Sequence, residues 1–268
     1  MTVEARKRYL SDPTDEQREL IEAVIPPCRQ SKKGRRPQMI DMREVVNTIL
    51  HQCRSGFQWD TLPHDLPRKS YAYDYFARWH DDGAWKMISD RLVGAVRQLD
   101  APSEEINSSA ASIDGQTLKT SERSSSRGYN GGKKITGRKR NIAVDTLGLL
   151  LAVAVTVASI DDAPAARTVM KRLSESRQPR LSVVYADSKY HNHALRAWIA
   201  HPKSIAWQLE VVRQPIGARA FVLLPKRWVV ERTFSWFGRW RRLSRDYEHR
   251  TELSEAMAQV ASIGRMPK

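Results

Sequence analysis

The sequence predicts an α/β protein: a mixed sheet flanked by helices, preceded by a small all-helical domain. Three observations carry this. Apolar residues recur at helical spacing through the first hundred positions. The composition then shifts to Pro, Ser, Asn and Glu over 101–111, which reads as a linker. Beyond it, short alternating or continuous apolar runs are separated by helical stretches, the order of a layered sheet. The expected organisation is therefore a helical unit over 1–100, a linker over 101–111 and a sheet domain over 112–268.

The elements follow in order. Asp41 with Glu44 forms a capping-box pattern with Ile40 and Val45 as its staple. Val45, Val46, Ile49, Leu50 and Cys53 follow on one face, and Gly56 is the stop. A second helix opens after Ser70 with Tyr75, Phe76 and Trp79 on one side; a third carries Trp85, Ile88, Leu92, Val96 and Leu99. Between the first two, Phe57 to Pro67 reads as a turn-rich connection. Pattern alone leaves open whether this unit is a helix-turn-helix DNA reader or a packing and dimerisation module.

After the linker, Ser112–Lys119 alternates as a strand. Asn141–Asp145 passes through an Asp-Thr-Leu-Gly turn into Leu149–Val157, which reads as a hairpin. Asp161–Leu173 reads as a helix and Leu181–Ala186 as a strand covered on both faces. His193–Ala200 is a helix, Ala206–Val212 a strand, and a long helix runs from about Lys226. No internal repeat is visible.

Composition narrows the function. The 268 residues carry a formal charge of +15 and a pI near 10.1, which points to a polyanionic partner. The excess is concentrated. Residues 1–100 hold 17 basic and 15 acidic side chains, whereas Lys119–Arg140 holds eight against one and Lys226–Arg245 seven against one. Two such windows suggest two walls of a groove for nucleic-acid phosphates. Cys28 and Cys53 make no disulfide framework and no CxxC zinc pair, so a reducing compartment is expected. The apolar run 147–160 is too short to span a bilayer, and no signal-type start precedes the first charges, so the expected location is cytoplasmic.

Three acids stand where chemistry is plausible. Asp114 lies on the first strand and Asp187 leaves the strand Val183–Ala186, both placed to face a site at the sheet edge. Glu231 is the sole acid between Lys226 and Arg245. On a helical wheel Arg242, Arg227, Arg245 and Arg239 fall within about 80° of it, with Trp236, Trp240 and Leu243 on the other side. An intrahelical Arg227–Glu231 pair would be worth only ~0.3–0.5 kcal/mol and leaves the other arginines unexplained. Converging carboxylates bind Mg²⁺ or Mn²⁺, and two such ions ~4 Å apart serve phosphodiester chemistry.

The order Asp114, Asp187, Glu231 on these elements resembles the DDE triad of ribonuclease-H-like transposases, and more narrowly bacterial insertion-sequence transposases. The matching text is Ile113-Asp114-Gly115-Gln116-Thr117-Leu118-Lys119-Thr120, 137–151, Ala186-Asp187-Ser188-Lys189-Tyr190 and Arg227–Arg239, with Asp41–Leu50 and Gly56-Phe57-Gln58-Trp59 similar to that group's helical leader. Of that family's Tyr-x-x-Arg-x-x-x-Glu-x-x-x-x-x-x-Lys pattern, Arg227 and Glu231 fit. Leu224 stands at the Tyr position and Gly238 at the Lys position, with Arg239 one residue later. The resemblance implies a ribonuclease-H-like catalytic domain and metal-dependent cleavage at element ends followed by strand transfer. It also implies Asp114, Asp187 and Glu231 as ligands of a two-ion Mg²⁺ or Mn²⁺ site. The partners it implies are double-stranded DNA, as terminal inverted repeats and target, and a second copy of the chain in the synaptic complex. Lys133, Lys134, Arg138, Lys139, Arg140, Arg227, Arg239 and Arg242 are the expected DNA contacts, the 133–140 stretch as a flexible loop laid on DNA with Gly128, Gly131 and Gly132 permitting close approach. A nuclease without strand transfer and a non-catalytic DNA-binding relic are the alternatives.

Other signals are weaker. The glycines around Lys133 have P-loop spacing but lack the Lys-Ser/Thr pair and a preceding strand. His191 and His193 lack a third ligand nearby and read as loop or helix-start residues. Asp145 belongs to its turn. Trp228, Trp236 and Trp240 read as core, with Trp228 placed to reach DNA.

Overall fold

A computed structural model describes residues 6–26, 40–100, 108–176, 178–201, 205, 207–212 and 226–265. Helix α1 (Asp15–Glu22) starts at a Thr14–Gln17 capping box. In α2 (Met42–Ser55) the Asp41 carboxylate accepts from the Arg43 amide. Glu44 turns instead to Arg6 and Asn47, so the expected reciprocal cap there is half made. Gly56 ends α2 in the left-handed region at φ 75°, where the Arg241 side chain leaves no room for a Cβ. The connection contains one 3₁₀ turn, Trp59–Thr61, whose indole is buried. Helices α3 (Lys69–Asp81) and α4 (Ala84–Asp100) follow, with Phe76, Trp79 and Trp85 packed together at centroid separations of 5.3–6.2 Å.

Strand β1 (Ala110–Lys119) begins inside the stretch expected as linker; 101–107 lie outside the described residues. β2 (Gly128–Asn130) and β3 (Ile135–Asp145) form a hairpin, and β3 turns at Asp145 into β4 (Leu150–Val157). Asp145 Oδ1 accepts from the amides of Leu147 and Leu149, which fixes the turn. The order continues α5 (Asp162–Glu175), β5 (Val183–Asp187), α6 (His193–Ile199) and β6 (Gln208–Val212). It closes with α7 (Trp228–Gly238) and α8 (Thr251–Arg265). β3 pairs antiparallel with β4 and β2 on one side and with β1 on the other; β5 and then β6 extend the β1 edge in parallel. This is the mixed, ribonuclease-H-like sheet the sequence led us to expect.

The basic stretch 133–140 is not a loop. Residues 135–140 are strand, and Gly137 through Asp145 are all buried. Side chains alternate across the sheet, so Lys139 turns toward α5 and bonds Asp162 at 2.6 Å. Arg138 and Arg140 turn to the opposite face. Arg138 donates to the carbonyls of Ser126, Glu248 and His249 and pairs with Asp246, while Arg140 lies 5.8 Å from the Phe237 ring. A run of positive charge in sequence thus became an internal staple because its acids arrive from far along the chain. Gly128 lies against Ser159, whose hydroxyl and amide leave no room for a Cβ.

The C-terminal helix is also broken in two. α7 stops at Gly238; Trp240 and Leu243 then turn into the core around a 3₁₀ turn at 241–243, which carries Arg242 inward to Glu248 at 2.7 Å. The wheel placing Arg239, Arg242 and Arg245 beside Glu231 therefore fails past Gly238. α8 docks on β4, where Glu255 accepts from the Val155 amide at 2.8 Å and pairs with Arg172 at 2.6 Å. It also packs on α2, α3, α4, α7 and the 241–243 turn, so the buried residues of helices and sheet form one cluster.

Burial pushes the Glu255 carboxyl above its ordinary value near 4.5, with Arg172 opposing. Between 4.5 and that raised value the native state binds more of this proton than the unfolded chain does. Stability from this group is full below 4.5 and falls as pH rises through the raised value. Melting at pH 7 and pH 5 should show the natural chain gaining on Glu255→Gln as pH falls; the opposite sign would refute the assignment.

Candidate active site

The sheet sets two rows on one face. Ser112 pairs with Tyr185 in the parallel β1–β5 register. Two residues further on each strand, on the same side of the pleat, stand Asp114 and Asp187. The segment entering α7 crosses both rows. Lys226, in the left-handed region at φ 69°, gives its carbonyl to Ser112 Oγ at 2.5 Å. Its ammonium bonds Tyr185 Oη at 2.8 Å and lies 4.5 Å from that ring. The next residue, Arg227, is thereby placed at the acid row. Its guanidinium lies 3.8 Å from Asp114 Oδ2, 3.7 Å from Asp187 Oδ1 and 3.7 Å from Glu231 Oε1. Glu231 is one turn further along α7. The helix is seated by Val230, Phe234 and Phe237 on the sheet and by Thr233 Oγ1 on the Gly148 carbonyl.

The three acids that sequence singled out are thus brought around one buried arginine. Ser112, Tyr185 and Lys226 were not foreseen as positioning residues. For Ser112 and Tyr185 the signal was the two-residue offset from each aspartate; for Lys226 it was adjacency to Arg227. Arg227 makes no hydrogen bond to the acids, and its Nε is buried without a partner. Asp114 Oδ1 accepts from the Gly115 amide at 2.7 Å, and Asp187 Oδ1 from the Ser188 amide. Burial raises the Asp114 carboxyl; the Gly115 amide and Arg227 oppose this, while Asp187 and Glu231 add to it. Tyr190, buried beside them, is held well above its ordinary range, chiefly by burial.

Among the described residues no three His, Cys, Asp or Glu side chains stand close enough to hold one metal ion. The acids instead face one another across Arg227. The donor set still suits a hard divalent cation: three carboxylates from three elements, offset by a single guanidinium.

The model of the family described as "Transposase DDE domain" matches residues 107–263, more than half of the chain. The chain belongs to the DDE transposase family. Residues 14–89 match a second family, described as "Putative transposase of IS4/5 family", so the helical leader and the sheet both fall within the insertion-sequence transposase pattern. No curated protein matches the chain. DDE transposases generally use divalent metal ions and act on DNA, the polyanion that the charge balance anticipated.

The other expected DNA contacts divide. Lys133 and Lys134 are exposed at the β2–β3 turn, and Arg239 is exposed beyond α7. Arg138, Lys139, Arg140 and Arg242 are buried on internal partners. His191 and His193 are exposed, with Asn192 capping α6 between them. Trp240 is core, whereas Trp228 is 37% exposed. No helix among the described residues is long and apolar enough to cross a membrane.

Proposed function

We propose that this DDE transposase cleaves DNA at element ends and joins the freed 3′-hydroxyls to target DNA. Asp114, Asp187 and Glu231 would hold a two-ion Mg²⁺ or Mn²⁺ site. The observation that carries this is the meeting of all three acids, from β1, β5 and α7, around Arg227. When bound, the ions supply an activated oxygen nucleophile and stabilise the leaving oxygen. The chain's own residues do the placing. Ser112 and Tyr185 fix Lys226, and so set where Arg227 and Glu231 enter the site. Arg227 keeps the carboxylates from repelling one another and offers a cation to the scissile phosphate. Lys133, Lys134 and Arg239 are the exposed contacts for flanking DNA. A homodimer is the assembly that bringing two ends together requires. We also read 1–100 as a leader unit and 112–268 as the catalytic unit.

The test is incubation with DNA carrying the flanking terminal repeats and a target plasmid, in Mg²⁺ or in EDTA. Expected are nicks at the repeat ends and joined products in Mg²⁺ only. Cutting without joining would make the protein a nuclease. Binding without cutting under every condition would make it a DNA-binding relic.

A further inference from the structure

On the flank of α7 away from the acids lies a cavity of about 650 Å³. Four arginines line it from separate parts of the chain: Arg54 of α2, Arg232 of α7, Arg239 just beyond it and Arg265 of α8. No carboxylate lines it among the described residues. Tryptophans hold the cations in place without neutralising them. Arg232 lies 4.3 Å from the Trp228 ring and 4.4 Å from Trp236, and Arg265 stacks at 3.4 Å on Trp236. Arg54 lies 5.2 Å from Trp240.

The β3–β4 turn orients two of the guanidiniums, because Arg232 donates to the Leu147 carbonyl at 2.9 Å and Arg265 to that of Gly148 at 3.1 Å. The nearby acid Asp145 is fully buried and already engaged by Arg97 at 2.8 Å. Burial and the neighbouring Arg232 charge lower Arg265 to about 10. Gathering like charges without a counter-ion costs stability, and a fold tolerates this where an outside anion restores the balance.

We propose that this cavity is a second phosphate-binding site, taking backbone phosphates of DNA that passes along the flank of α7 formed by Trp228, Arg232 and Trp236. It rests on the DNA-substrate reading above. Arg54 and Arg239 are exposed at its edge, so a long strand can reach them without entering the fold. Arg54 ties the leader helices to DNA through this site rather than through a recognition helix.

The test uses the full chain in EDTA with a fluorescein-labelled duplex, binding being read by anisotropy between 50 and 200 mM salt. Arg54→Gln should lower the slope of log affinity against log salt by about one, and Arg54→Gln/Arg239→Gln by about two. That means about three- to fourfold less salt sensitivity per lost contact. Leu147→Glu, which sets a carboxylate at the rim while leaving every arginine in place, should weaken binding as well. Unchanged affinity and slope in all three overturn the proposal. Sodium phosphate should displace DNA from the natural chain better than sodium chloride of equal ionic strength, and that excess should shrink in Arg54→Gln/Arg239→Gln. Phosphate that stabilises the natural chain against melting without displacing DNA would assign the cavity to a free anion and overturn the DNA assignment. EDTA prevents cleavage, so this readout is independent of the catalytic acids. A natural chain that binds no DNA at all would instead sink the substrate reading itself.

Discussion

A Glu231→Ala chain should lose metal-dependent nicking at element ends by on the order of 10³-fold or more while still binding DNA. Withdrawing one carboxylate from a shared metal site forfeits several kcal/mol of transition-state stabilisation, and each 1.36 kcal/mol is tenfold in rate. Asp114→Ala and Asp187→Ala should do the same. Glu231 is the cleanest choice for stability, because its side chain is 42% exposed and its only ion pair among the described residues is a long one with Arg227. Its removal should leave the melting temperature nearly unchanged. Nicking and anisotropy measured on one preparation decide the matter. Cleavage retained in Glu231→Ala would remove this acid from the chemistry, and lost DNA binding would make it a structural group.

Arg138→Ala should behave in the opposite way. The guanidinium is fully buried, donates to three backbone carbonyls and pairs with Asp246, whose side chain is 1% exposed and whose Oδ2 already lacks a partner. Truncation strands that carboxylate and costs roughly 3–5 kcal/mol, or roughly 6–20 °C in melting temperature for a chain of this size. Below the new midpoint, DNA affinity and its salt slope should match those of the natural chain. Calorimetry with anisotropy separates the outcomes. An unchanged melt with a reduced salt slope would return Arg138 to the DNA surface.

That contrast shows what sequence could and could not tell. The acids could be singled out because a carboxylate on or leaving a core strand and a lone carboxylate among arginines are local signals, and Arg227–Glu231 falls at a helical spacing. Strands and helices around the Asp145 turn were legible for the same reason. The direction of Arg138, Lys139 and Arg140 was not, since the Arg138 partner lies 108 positions away. Charge counting therefore credited to DNA several cations that the fold spends internally. The end of α7 was hidden too. Trp240 and Leu243 continue the apolar spacing of the helix, so periodicity does not register that the backbone has turned at Gly238. The aromatic cage of Arg232 and Arg265 was half visible in the clustered tryptophans, but its other walls come from α2, α8 and the β3–β4 turn.

The shared core of α2 and α8 also sets a timetable. Cys53 packs against the backbone of Met257, 204 positions later, and Gly264 lies against Trp240 and Leu50. At ribosomal speeds of 5–20 residues per second, about 10–40 s separate synthesis of the two halves of that contact. Throughout that interval the apolar face of α2 has α3 beside it but lacks α8. The core of the leader helices is therefore complete only once α8 has left the ribosome.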